Sequence, residues 1–243
     1  MASQAALNRK RNGESRTVTG DEAVYRSVYD AILAHKLPPG TKLAEDSLGE
    51  VFGVSRTVVR KALFRLTHDG IVEIRPNRGA IVASPSIEEA RQVFQTRRIL
   101  ESAVIDRLLG SITADEIAEL EALVDDEEAA FEGGDRVRWI RLSGDFHLRL
   151  ADLAGNNVIA EFLRELISRT SLIIALYETP GNSACSHDEH RAIIGAIVAG
   201  DGAQAIDLMS HHLEVCEDKL KLEGKAGSLN LADIFGAKKS RQE

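Results

Sequence analysis

A chain of 243 residues, 44% apolar, 5% aromatic and 28% charged, has the make-up of a soluble, mainly helical protein with room for two cores. Its two cysteines, Cys185 and Cys216, are too few for a disulfide framework and fit a reducing compartment. There is no apolar leader and no apolar run long enough to cross a bilayer, so a cytoplasmic protein without membrane contact is expected.

The net charge of −8 is unevenly spread: residues 1–83 carry 13 Lys and Arg against 9 Asp and Glu, and the remainder 17 against 29. Only the first third is therefore suited to meet a polyanion. Residues 1–18 are polar and basic and are expected to be disordered.

From Gly20 to about His35, Val24, Val28 and Ile32 recur every four residues, the spacing of an amphipathic helix. Leu37-Pro-Pro-Gly40 stops it. A short helix from about Asp46 to Phe52 closes at Gly53, and Ser55 caps the next. That helix places Arg56, Arg60, Lys61 and Arg65 on one side, with Val59, Ala62, Leu63 and Leu66 on the other. Asp69-Gly70 ends it. Two β-branched runs, Ile71–Ile74 and Ala80–Val82, flank the basic turn Arg75-Pro-Asn-Arg-Gly79 and read as a hairpin. Residues 19–83 thus read as a winged helix-turn-helix.

A helix fits the major groove of B-DNA, where arginine reads guanine O6 and N7 through two parallel hydrogen bonds. Arg56 and Arg60, one turn apart at the helix start, are the candidate readers, with Ser55 and Thr57 beside them. The helix N-terminus itself favours a phosphate. Arg78 and Gly79 at the wing tip are placed to approach the backbone or minor groove. The competing reading is a solvated basic face; Lys61 and Arg65 fit that reading as well as they fit DNA contact.

Residues 84–87, with Ser84-Pro-Ser86, read as a linker. Beyond it, helical periodicity runs through Ile87–Leu109, Ala114–Glu132, Arg136–Leu153, Val158–Tyr177, His187–Ala199 and Ala203–Leu222, with breaks at glycine, asparagine and proline. The fold class is therefore mainly α: a winged domain joined to an all-helical bundle of six to seven helices over residues 88–223. Residues 224–243 form a polar tail with one apolar patch, Leu229 to Phe235.

His190 lies ten residues before Gly200 and His212 ten after Gly202. If Gly200-Asp-Gly202 is a hairpin tip, both stand about 15 Å from it, at about 1.5 Å per residue. Each shares a helix face with apolar residues, as does His147. Three inward imidazoles suit one divalent ion with positions left open. Three hydrogen-bonded core histidines are the alternative.

The motifs Pro39-Gly-Thr41, Val54-Ser-Arg-Thr-Val-Val-Arg60, Leu66-Thr-His-Asp-Gly70 and Arg78-Gly-Ala80 resemble the GntR family of bacterial transcription regulators. Arg97-Arg-Ile-Leu-Glu101, Phe146-His147 with Gly155-Asn156, Glu189-His190, Ala199-Gly-Asp201 and His212-Leu213 resemble the FCD effector domain of its FadR-like subfamily. The resemblance implies operator contacts at Ser55, Arg56, Thr57 and Arg60. It also implies a divalent metal such as zinc or nickel at His147, His190 and His212.

Three departures stand out. Val58 replaces a proline common in such relatives, and Glu45-Asp46 stands where some carry a second basic contact. Ser143 stands where family members carry Asp or Asn, which implies a weaker metal site. Arg97 matches an arginine that points into the same cavity, where its fork suits a carboxylate; an ion pair with Glu101 fits equally from spacing alone. The expected function is a homodimeric regulator that binds a palindromic DNA operator and responds to a small carboxylate effector bound near Arg97 and Ser143. A metal-dependent hydrolase fused to a DNA-binding domain, or a metal-only sensor, is the alternative; no HExxH is present.

Overall fold

The structure is a computed structural model that describes residues 19–177, 187–220 and 234–235. The expected disorder of residues 1–18, Cys185 and most of the C-terminal tail lie outside the described residues. The first elements in chain order are α1 (Gly20–Leu33), α2 (Glu45–Phe52), α3 (Arg56–His68), β1 (Val72–Arg75) and β2 (Gly79–Val82). They are followed by α4 (Ile87–Leu108), α5 (Ala114–Glu132), α6 (Arg136–Leu153), α7 (Asn157–Tyr177), α8 (His187–Val198) and α9 (Gly202–Asp218).

The local reasons are those the residues supply. Gly53 closes α2 in the left-handed conformation (φ 63°), which costs a residue without Cβ least. Ser55 then caps α3, its hydroxyl accepting from Val58 N. Val59, Ala62, Leu63 and Leu66 bury one face of α3 against Val24, Val28 and Ile32 of α1. The hairpin is antiparallel with Val72 opposite Val82 and Arg75 opposite Gly79.

The wing has a third edge that the sequence does not announce. Lys42 bridges Ile81, and the backbone of residues 40–43 bonds β2 through Gly40 N to Val82 O (2.9 Å), Val82 N to Thr41 O (2.9 Å) and Leu43 N to Ala80 O (2.8 Å). Pro38-Pro39-Gly40, expected only to stop a helix, leads directly into this edge.

Helices α4 to α9 pack into a bundle around a second core that includes Phe94, Ile105, Leu120, Phe146, Leu163, Ile193, Met209 and Leu213. Helix α5 starts with a capping box, Thr113 and Glu116 exchanging hydrogen bonds. Each core borrows one residue from the other unit. Leu33 of α1 is buried in the bundle core, and Leu172 of α7 in the winged core.

The seam carries polar ties as well. Arg141 pairs with Asp30, and the Tyr177 hydroxyl donates to Pro85 O (3.0 Å). Gly70 (φ 71°) lies under Arg169, so that a Cβ there would come within 2.7 Å of Arg169 Cγ. No helix among the described residues is long and apolar enough to cross a membrane.

Candidate functional site

The first candidate surface is the exposed side of α3. Arg56 and Arg60 project from it with side chains 68% and 69% exposed. Neither stands alone, as the acids of α2 and α1 neutralise the whole row. Arg60 makes a two-pronged ion pair with Glu45 (2.9 and 2.6 Å), and Arg56 pairs with Asp46. Lys61 pairs with Asp21 (2.9 Å) and Arg65 with Glu22 (2.8 Å).

Arg65 also lies over the Tyr25 ring, 4.3 Å from its centroid. Lys61 and Arg65 are thus tied back to α1. Thr57 is exposed beside Arg56. Arg78 and Gly79 sit exposed at the wing tip, where Asn77 (φ 61°) and Gly79 (φ 73°) form the tight turn.

The second candidate site lies in the bundle. His147 (α6), His190 (α8) and His212 (α9) are buried, and one ligand atom of each lies within 4.8 Å of the others. The matched height of His190 and His212 across the hairpin is real: their Nε2 atoms are 3.2 Å apart. Each imidazole is oriented from behind by a carboxylate on Nδ1. Glu101 of α4 holds His147 (2.6 Å), Glu127 of α5 holds His190 (2.7 Å), and Glu189 of α8 holds His212 (2.7 Å).

An ionised carboxylate accepts, so with its glutamate ionised each Nδ1 carries the proton and each Nε2 turns a lone pair inward. Two lone pairs 3.2 Å apart repel unless a proton or a cation sits between them. The donor set therefore fits a divalent metal, with second-shell carboxylates fixing the tautomers as in zinc centres. Phe146 stacks on His190 at 4.1 Å between centroids and helps hold its plane. Cys216, one turn after His212, places Sγ 3.8 Å from His212 Nε2.

The electrostatics follow from burial. Burial is the largest influence on His147 and pushes it down to about 3, so it is neutral at physiological pH and able to ligate. Burial alone would raise Glu101, but Arg97 and His147 outweigh it and hold the carboxyl at about 2. Glu127 is pushed up to about 7 by burial, which its neighbours only partly offset.

Ser143, buried one turn before His147, lies near Glu127 and favours its charged form. Glu127 Oε1 nevertheless makes no hydrogen bond of good geometry. Asp145 is exposed on the far side of α6, as its two-residue offset from His147 requires. His68 and His211 are at the surface, whereas His187 is half-buried beside Glu128 and Phe131.

A small cavity of about 20 Å³ opens beside His147. Arg97, Trp139, Ser143, Thr170, Ser171 and Ile174 are among its lining residues. Arg97, only 3% exposed, makes the ion pair with Glu101 that its spacing allows, Nε donating at 2.7 Å, while its Nη2 is buried with no hydrogen-bond partner. Arg98 points elsewhere and pairs with Glu217 (2.9 Å).

The three Nδ1 carboxylates were not singled out from sequence. Glu127 had a signal: it falls on the apolar stripe Leu120, Val124, Ala130 of α5, where a charge needs a partner.

Residues 92–215 match the FCD domain, and residues 21–82 match the family described as bacterial regulatory proteins, gntR family. The chain is 26% identical over 204 residues to the HTH-type transcriptional repressor RspR of Escherichia coli, covering 83% of this chain and 89% of that one. It is 32% identical over 199 residues to the uncharacterised HTH-type transcriptional regulator YieP of the same organism, covering 72% of this chain and 84% of that one. LutR of Bacillus subtilis is 28% identical over 210 residues, covering 76% and 94%. A GntR regulator from Rhodococcus sp. RHA1 shares the fold with a TM-score of 0.68 at 24% identity, over 90% of this chain and 99% of that one. The chain therefore belongs to the GntR family of bacterial transcription regulators: it binds DNA through its winged helix-turn-helix and carries an FCD effector domain.

Proposed function

We propose that this regulator binds a palindromic operator as a homodimer, reads it with Arg56 and Arg60, and is controlled by a small carboxylate held at Arg97. The observation that carries the effector reading is Arg97 Nη2, buried without a partner in the cavity beside the histidines. A guanidinium with one edge fixed by Glu101 and the other unpaired is prepared to accept a carboxylate. A metal-only sensor would leave that donor unexplained.

His147, His190 and His212 would hold a divalent ion such as zinc or nickel through Nε2. Such an ion would offer an open position to an oxygen of the effector. The chain's own residues do the rest. Glu101, Glu127 and Glu189 fix the imidazoles, Arg97 orients the carboxylate, and burial excludes water from competing. Ser143, a neutral and weak donor, replaces a charged ligand and leaves the metal held less tightly.

On the DNA side, Ser55 caps the helix that presents the readers, and Thr57, Arg78 and Gly79 approach the backbone and the wing-side groove. The ion pairs of Arg56 and Arg60 are exposed, and such pairs stabilise by only about 0–1 kcal/mol. Exchanging them for guanine edges is therefore cheap. A dimer reads two half-sites at fixed spacing, so a change in the angle between winged units alters operator affinity.

A thermal-shift screen of short carboxylates, with and without Zn²⁺ or Ni²⁺, tests the effector reading, because a ligand of the native state raises the melting temperature. At least one carboxylate is expected to do so for the wild type and not for Arg97→Lys. That variant keeps a cation beside Glu101 and loses the fork. A response that survives in Arg97→Lys contradicts the assignment.

A further inference from the structure

Ile234 and Phe235 follow the helical bundle in sequence but pack against the other unit. Both are half-buried on the core of the winged unit. The Phe235 ring meets that of Phe52 with centroids 5.2 Å apart, a spacing that aromatic pairs favour. Phe52 is the last residue of α2, and Gly53 closes that helix. The contact therefore sits at the turn of the helix-turn-helix, three residues before Ser55 and four before Arg56.

This surface is short of free positive charge. Residues 19–83 carry 9 Lys and Arg against 8 Asp and Glu. Arg56, Arg60, Lys61 and Arg65 are each paired with an acid of α1 or α2. Neutralising phosphates supplies a large share of the affinity of most proteins for DNA, and it needs cations that no nearby acid offsets. A reader helix with so little net charge needs phosphate contacts from another segment. Directly after Phe235 the sequence runs Gly236-Ala-Lys-Lys-Ser-Arg-Gln-Glu243, with Lys238, Lys239 and Arg241 against one acid. At about 3.3–3.6 Å per residue, the backbone at all three lies within about 20 Å of the anchor. That reach exceeds the width of the major groove, about 12 Å.

We propose that Ile234 and Phe235 anchor a second DNA-binding element, and that Lys238, Lys239 and Arg241 bind the sugar-phosphate backbone beside the groove that α3 enters. Charge favours DNA over the protein's own surface as their partner. The nearby face of α3 is itself cationic, and the acids around it are already paired with α3. Phosphate contacts position a protein without reading bases, so the element adds affinity while Arg56 and Arg60 keep the base preference. The apolar anchor holds the cations near the groove and so raises their effective concentration there.

The test titrates full-length protein into a duplex selected from random DNA and into an unrelated duplex, by fluorescence anisotropy from 50 to 200 mM salt. The triple variant Lys238→Gln, Lys239→Gln, Arg241→Gln is expected to bind both duplexes about tenfold more weakly or worse. The slope of log K against log salt is expected to fall by about 3, close to one per lost phosphate contact. Phe235→Ala keeps the charges and loses the anchor, and is expected to weaken both duplexes by about fivefold. Phe235→Leu, which keeps an apolar side chain against Phe52, is expected to bind nearly as the wild type. Unchanged affinity and slope in the triple variant overturn the inference. Tighter binding overturns it too, because the segment would then cover the reader. A loss confined to the selected duplex would make these residues base readers and contradict a phosphate role. Wild-type affinity in Phe235→Ala would remove the anchor and the inference with it.

Discussion

Ser171 lines the cavity, and Leu172, the next residue of α7, is buried in the core of the winged unit. One helix therefore touches the candidate effector and the candidate DNA reader with adjacent side chains. Tyr29 of α1 meets Ser171 from the other side, and Arg141 lies over the Tyr29 ring at 5.6 Å. A small rotation of α7 that accommodates a ligand would displace Leu172 against α1 and α3. Control then follows only if the ligand binds one arrangement better than the other.

Leu172→Ala is predicted to destabilise the protein by about 2–4 kcal/mol, the usual cost of emptying a buried leucine site. Chemical denaturation measures this. If Leu172 transmits the signal, the variant also loses much of its effector response in DNA binding while ligand affinity stays near wild type. A full response in a destabilised protein would show that the signal takes another route.

Arg56→Ala and Arg60→Ala are each predicted to weaken binding to a duplex selected from random DNA by about 1–3 kcal/mol and to relax base preference at one position per half-site. Lys61→Ala is predicted to do less, because an ammonium offers a point charge in place of the arginine fork. Fluorescence anisotropy with matched and substituted duplexes separates these outcomes. Unchanged binding in both arginine variants would remove α3 as the reader.

His190→Ala is predicted to lower bound zinc or nickel, measured by elemental analysis after dialysis, and to leave affinity for the selected duplex near wild type. The separation is expected because His190 is buried in the bundle, on α8, whereas the readers lie on α3. Full metal retention would mean that the three imidazoles are core residues satisfied by Glu101, Glu127 and Glu189 alone.

Glu127 gives a pH signature in protein stripped of metal. Its folded carboxyl is raised to about 7 by burial, against an ordinary value of 4.5. Below about pH 4.5 both folded and unfolded states hold the proton, and the group's contribution is fully favourable. As pH rises toward 7 the unfolded state releases the proton first, so stability falls; above 7 the effect levels off. The loss is on the order of 3 kcal/mol. Denaturation of wild type and Glu127→Gln between pH 4.5 and 8 should differ by this slope, and parallel curves would contradict the shift.

Much of this was legible in the residues. Gly53, Ser55 and the alternating faces of α3 define the helix-turn-helix because capping and periodicity are local signals. The equal distances of His190 and His212 from Gly200-Asp-Gly202 placed two imidazoles at one level because a helical hairpin preserves height. What escaped depends on contacts between distant segments. The backbone edge at residues 40–43 forms only against β2, and Lys42 has no strand pattern of its own. Glu101, Glu127 and Glu189 come from three different helices, and nothing in their spacing announces that each would meet a histidine. The pairing of Arg56 and Arg60 with Asp46 and Glu45 was visible only as an unusual acidic pair in α2.

The most direct test of the account is the affinity of the protein for its selected duplex, measured with and without a carboxylate shown to bind the cavity, in wild type and in Arg97→Lys. The account predicts that the carboxylate changes the wild-type Kd by about tenfold or more, in the range of ordinary allosteric coupling, and leaves the Arg97→Lys Kd unaltered. A carboxylate that occupies the cavity and leaves the wild-type Kd unchanged would contradict it.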